Sequence, residues 1–157
     1  MILLGIIPAF AVASVVAPVN SPHATAAKTN GVLVARPAEV DFHTKRVGTE
    51  NYKRTKITNT GQTAVRLLVT AGLPDDFGYG LLPGQTCPAL DAGDLIEPGA
   101  SCYAVVRFSP TEFFVGWQAE GTVIATAYDP ATDPTTDPAT WVIIDKLEIP
   151  VLGEAVL

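Results

Sequence analysis

The chain has 157 residues, enough for one ordinary domain with its own core, and 48% of them are hydrophobic. Its formal net charge of −6 argues against general nucleic-acid binding. Two cysteines and two histidines cannot build a four-thiolate zinc site, so any metal would have to rest mainly on carboxylates.

Residues 2–19 are apolar apart from Ser14 and carry no charge, and Ala24-Thr25-Ala26 follows them. An apolar core ahead of an Ala-x-Ala site is the pattern of a secretory signal peptide, with cleavage expected before Ala27. The run is also about the length that spans a bilayer, so an uncleaved N-terminal membrane anchor is a second reading and a buried helix a third. Pro8 and Pro18 interrupt the run, and no Lys or Arg precedes it. The first two readings put the remainder outside the cytoplasm, secreted or at the cell surface. Residues 27–36 are then a linker or leading strand, ahead of a domain drawn over residues 37–155.

Charge is unevenly placed along that remainder. Residues 28–66 hold eight Lys/Arg against three Asp/Glu, and residues 67–157 hold two against thirteen.

Helix signals are nearly absent, while short β-rich runs recur between turn residues. Residues 31–35 and 39–43 are candidate strands split by Pro37, which an edge strand tolerates. Val47-Gly48-Thr49 reads as a turn. Residues 51–58 form the next strand, closed by Asn59-Thr60-Gly61, where Asn and Gly suit a tight turn because they accept positive φ. In residues 64–71 the two-residue period puts Val65, Leu67 and Val69 on one face. Residues 72–99 read as irregular, with Pro-Gly turns at Pro83-Gly84 and Pro98-Gly99. Residues 101–109 are the clearest strand: Cys102, Ala104, Val106 and Phe108 face one way, and Tyr103, Val105 and Arg107 the other. Two further strands lie within residues 116–128 and 141–152. Between them runs a tandem repeat, Asp129-Pro130-Ala131-Thr132, Asp133-Pro134-Thr135-Thr136 and Asp137-Pro138-Ala139-Thr140. Three prolines so spaced cannot join a ladder, so this is a loop. Seven or so short strands with one apolar face each predict two sheets packed face to face.

The order of these pieces resembles a known family. Val47-Gly48 and Thr58-Asn59-Thr60-Gly61 come first, then Pro98-Gly99-Ala100-Ser101-Cys102. Val106-Arg107-Phe108-Ser109-Pro110-Thr111, Gly121-Thr122-Val123 and Ile149-Pro150-Val151-Leu152-Gly153 follow. Over about residues 37–155 this looks like the ASH-type (abnormal spindle and hydin) immunoglobulin-like domain, and more narrowly like bacterial exported choice-of-anchor D repeats. The resemblance implies an all-β, seven-stranded immunoglobulin-like sandwich related to the major sperm protein fold. It also implies adhesion or scaffold roles rather than catalysis. The chain departs from the usual exported members in having one copy instead of an array.

Chemistry-bearing motifs are sparse. His43 is the single histidine after the Ala24-Thr25-Ala26 site, and no Gly-x-Ser-x-Gly, His-Glu-x-x-His or phosphate loop occurs. No catalytic residue, cofactor or metal site is therefore expected. Asp75-Asp76, Asp91 and Asp94 lie in turn-rich stretches and read as solvated. The Asp-Pro repeat reads as turns, with a calcium loop as the other reading. Phe113-Phe114, Trp117 and Trp141 read as packing over the end of the sandwich, or alternatively as an exposed contact surface. In an exported chain the two cysteines, Cys87 and Cys102, predict a disulfide. The basic residues Lys45, Arg46, Arg54 and Lys56 read either as a charged strand face that deters edge pairing or as a contact for an anionic partner.

The function these features predict is a non-catalytic extracytoplasmic binding or adhesion module acting on protein or an anionic envelope polymer. Nucleic acid is not an expected partner, and membrane is one only through an uncleaved N-terminal segment. A structural envelope part tethered by that segment is the alternative, and a small hydrolase with an unfamiliar site is a weaker one.

Overall fold

The computed structural model describes residues 31–88, 94–133 and 135–157. The apolar run, its Ala-x-Ala site, Asp91 and Pro134 lie outside the described residues. Nine strands are described: β1 (Leu33–Arg36), β2 (Val40–Arg46), β3 (Asn51–Asn59), β4 (Val65–Gly72), β5 (Phe77–Tyr79), β6 (Leu95–Ile96), β7 (Ser101–Phe108), β8 (Gln118–Tyr128) and β9 (Ile143–Val156). Seven of them are the expected strands; β5 and β6 are short additions inside the stretch that reads as irregular. The leading strand β1 belongs to the domain. No helix of the described residues is long and apolar enough to cross a membrane.

The strands form a four-stranded sheet, β1-β3-β7-β5, and a five-stranded sheet, β2-β9-β8-β4-β6. All pairings between the described strands are antiparallel except β2 with β9. The two-residue period aims alternate side chains between the sheets. Val65, Leu67 and Val69 of β4 are buried there, as are Cys102, Ala104, Val106 and Phe108 of β7. Val123, Ala125 and Ala127 of β8 and Ile149 and Val151 of β9 meet them. Each fully buried large aliphatic or aromatic chain contributes about 1.5–3 kcal/mol. Near one end of the core Phe108 stacks on Phe77 at 4.6 Å and lies 5.4 Å from Phe42.

Turns sort to two ends of the sandwich. One end carries Gly31, the Asn59 turn and the Asp-Pro repeat. The other carries the Val47-Gly48 turn, the link from β7 to β8, and the end of β9. The chain passes from β1 in one sheet to β2 in the other through Pro37. At the edge strand β2 the register slips between Asp41 and Thr44, with His43 at φ 53°. Asp41 holds this bulge: its Oδ1 accepts from the His43 N–H at 2.7 Å and its Oδ2 lies 2.8 Å from Nδ1. A bulge on an edge strand spoils it as a template for another chain.

The Asn59-Thr60-Gly61 turn works differently from expectation. Neither Asn59 nor Gly61 has positive φ. Asn59 is fully buried; its Nδ2 donates to the Thr63 and Ile96 carbonyls, both at 2.9 Å, and its Oδ1 accepts from the Gly61 N–H. The side chain thus ties β3 to β6 of the facing sheet. Gly61 leaves room for Val32: a Cβ there would lie 2.8 Å from Val32 Cγ1, so a larger residue would force Val32 to shift.

Cys87 and Cys102 form a disulfide with Cα atoms 4.9 Å apart. The segment around Cys87 bridges the sheets. Its Thr86 and Cys87 N–H groups donate to the Tyr103 carbonyl of β7, and the Pro88 carbonyl accepts from Val69 of β4. Gln85 completes the junction, accepting from the Val105 N–H and donating to the Tyr79 hydroxyl and the Cys87 carbonyl. Burial pushes the Tyr79 phenol from 10.0 up to about 12, against a smaller lowering by Gln85. The raised value means the unfolded chain releases this proton first. Stability from this group is therefore complete below pH 10 and is lost as pH rises towards 12. An ultraviolet absorbance titration should show a phenol step near pH 12 that Tyr79→Phe removes; a titration unchanged by that substitution would assign the step elsewhere.

Candidate contact surfaces

After β7, the chain is pinned by a carboxylate. Asp76 accepts from the Thr111 N–H at 2.9 Å and the Thr111 hydroxyl at 3.0 Å, and its own carbonyl accepts from Ser109. Asp76 is buried, so of the two adjacent acids only Asp75 is solvated as expected, and Asp94 is also exposed. Burial of Asp76 is tolerated because the Thr111 donors replace its water.

Beyond Thr111 comes a short 3-10 turn, Glu112–Phe114, followed by Gly116 with φ 78°. The Gly116 N–H donates to the Ala155 carbonyl, and Val115 bridges Ala155, which fastens the link to the end of β9. This fixes three aromatic rings. Phe114 turns partly inward against the core. Phe113 and Trp117 stay out, 85% and 72% exposed. Together with Phe114 and Gln118 they line an open hollow of about 500 Å³.

Trp141 behaves in the opposite way. It is buried edge-on against Tyr128 at 5.0 Å, at the other end of the sandwich. Packing over an end thus holds for Trp141, and exposure holds for Phe113 and Trp117. Sequence gives no sign of this division, because it depends on which link β9 fastens.

The Asp-Pro repeat forms three copies of one turn. Asp129, Asp133 and Asp137 each accept through Oδ1 from the N–H two residues on. Each also accepts at its carbonyl from the N–H of Thr132, Thr136 or Thr140. Hydrogen bonds from Thr135 hold the Asp133 carboxyl below its ordinary range. The carboxylates are engaged with their own backbone, and among the described residues no three His, Cys, Asp or Glu side chains are grouped to hold a metal. Arg66 fastens the loop to β4, donating from Nε to the Thr132 carbonyl at 2.8 Å.

The four basic residues are not one cluster. Lys45 and Arg46 lie on β2, opposite Ala155 and Val156 of the five-stranded sheet. Arg54 and Lys56 lie on β3 of the four-stranded sheet. There Arg36 of β1 stands directly opposite Lys56, and the Arg54 guanidinium sits over the Tyr103 ring at 4.5 Å. His43 is exposed beside Asp41.

No family model matches the chain, and no curated protein matches its sequence. Solved structures do share its fold. SSP-19, an MSP-domain protein like family member of Caenorhabditis elegans, superposes with a TM-score of 0.53 at 13% identity, covering 78% of this chain and 99% of that one. WR4, a C. elegans MSP family member, gives 0.54 at 9% identity over 78% and 98%. The ASH / PapD-like domain 7 of human CEP192 gives 0.47 at 15% identity over 95% and 98%. The two nematode proteins identify the fold as the MSP-type immunoglobulin-like sandwich.

Proposed function

We propose that this chain is a non-catalytic binding module that works outside the cytoplasm, in the manner of exported choice-of-anchor D-like domains, by contact with protein or envelope polymer. The carrying observation is the pair of exposed rings, Phe113 and Trp117, held out from a link that Asp76 and β9 make rigid. Exposed Trp and Phe on a fixed backbone are what contact surfaces use, because large rings bury area at little entropic cost. The Cys87–Cys102 bridge supports the compartment, since such bonds persist in oxidising surroundings. The chain enters the sandwich at Leu33 of β1, at the end opposite the rings, so a tether entering there would present them outward.

The test is in-cell photo-crosslinking. A photoreactive residue in place of Trp117 is expected to give a defined adduct, and the same residue in place of Glu97, exposed at the far end, is not. Identical adducts from both positions, or none from either, would remove the contact-surface reading and favour a purely structural envelope part.

A further inference from the structure

We infer that the outer face of the four-stranded sheet binds a carboxylate-bearing polysaccharide. The inference rests on the extracytoplasmic reading above and adds a ligand class at a separate surface. Its starting point is the register. Residues facing one another across a ladder project on the same side. Ala35 pairs with Ile57 and Ile57 with Cys102, all three buried. The neighbouring rank therefore points out: Arg36 opposite Lys56, and Lys56 opposite Tyr103. Two residues along β3, Arg54 projects on the same side, and two further on Tyr52 stands opposite Arg107.

This face gathers four cations in a chain whose net charge is −6. Arg107 is paired with Glu50 at 3.5 Å. Arg36, Arg54 and Lys56 are exposed and have no ion-pair partner among the described residues. Like charges directly opposite across a ladder are destabilising, so the Arg36–Lys56 pair opposes folding. An anion lying on the face removes that repulsion. Strands are about 4.8 Å apart and alternate residues about 6.8 Å, so Lys56 has Arg36 beside it across the ladder and Arg54 beside it along β3, close enough for one polyanion to meet all three.

The rest of the face selects among polyanions. Its other outward groups are chiefly hydroxyls: Tyr103, the Thr58–Ser101 pair, whose oxygens are 2.9 Å apart, and Tyr52, which donates to the Glu50 carboxylate that also pairs with Arg107. The apolar outward positions are Val34 and Val105, and Val105 is buried. A face of hydroxyls and cations offers hydrogen bonds to sugar hydroxyls and planar guanidinium forks to carboxylates. It offers little apolar depth to seat the side chains of an acidic peptide.

The test is affinity electrophoresis of the full chain through gels holding polygalacturonate, dextran, poly-glutamate or single-stranded DNA. Polygalacturonate is expected to retard the chain most, with an effect that fades as salt screens the charges. Arg54→Gln with Lys56→Gln should weaken binding by at least about tenfold, since losing even one of two charge-assisted hydrogen bonds would do so, and Arg36→Gln alone should also weaken it. Lys45→Gln with Arg46→Gln, on the other sheet, should leave it unchanged. Equal retardation by dextran, equal or stronger binding to poly-glutamate or DNA, or parental binding by both β1 and β3 variants would overturn the inference. A chain that fails in this way yet still crosslinks through position 117 loses the polysaccharide and keeps the module reading.

Discussion

Phe108→Ala is expected to lower unfolding stability by about 3–5 kcal/mol, the range for emptying a fully buried aromatic site. Domains hold only about 5–15 kcal/mol in total. The size of the effect follows from how the ring is enclosed. Phe108 has no exposed surface. Phe77 stacks on it, and Phe42 lies against it from the facing sheet. From β9 comes Gly153, where an added Cβ would lie 2.7 Å from the Phe108 Cε1 atom. Glycine there lets the ring touch the backbone of the opposite sheet, so position 153 has no side chain to swing in and fill a vacancy. Urea unfolding measures the change, as a shift in midpoint with little change in slope. A second result tests the enclosure itself. Gly153→Ala should cost about 1–3 kcal/mol in the parent chain, the usual penalty for overpacking. Much of that penalty should vanish beside Phe108→Leu, because the two groups compete for one space. A Phe108→Ala loss below about 1 kcal/mol, within the ordinary run of substitutions, would mean the site collapses and the ring is not central.

Phe108 also marks what the sequence makes legible. Cys102, Ala104, Val106 and Phe108 alternate with Tyr103, Val105 and Arg107, and the period-two alternation of the inward face survives into the fold because it is a property of the strand alone. The same holds for Val65, Leu67 and Val69. Properties that need a partner far along the chain are not legible. Asn59 looks like a turn former, yet its role depends on the Ile96 carbonyl, 37 residues later. Asp76 looks solvated until Thr111 folds onto it. Lys45 and Arg46 stand near Arg54 and Lys56 in sequence, and the turn between β2 and β3 sends the two pairs into different sheets. Arg36, more distant in sequence, is brought opposite Lys56 by the β1–β3 register. Parity alone carries a hint, since Arg54 and Lys56 alternate with the inward Thr55 and Ile57, but the identity of their cross-strand neighbours requires the pairing.

Removing the Cys87–Cys102 bridge, by Cys87→Ala with Cys102→Ala or by reduction, is expected to lower stability by about 3 kcal/mol in the chain-entropy account. The bonded cysteines are 15 residues apart, and that separation sets the entropy the bridge removes from the unfolded chain. Among its described residues, the intervening stretch holds only the two residues of β6 and the first residue of β7 as strand. The bridge also acts locally. It holds the segment whose Cys87 N–H reaches β7 and whose Pro88 carbonyl reaches β4, so losing it loosens a junction between the sheets. Tyr79 reports on that junction through Gln85, which donates to its hydroxyl. In the bridgeless protein the Tyr79 phenol should move down from about 12 towards its ordinary 10.0, because freeing the segment restores water to it and removes the burial that raised it. The two readouts separate two causes. A drop in the urea midpoint with Tyr79 unmoved would place the effect wholly in the unfolded chain. A drop together with the phenol shift would show that the bridge also orders the folded junction, which is the expected result. An unchanged midpoint after complete reduction, verified by two free thiols per chain, would show that the hydrogen bonds of Gln85, Thr86 and Cys87 hold the junction without the bridge.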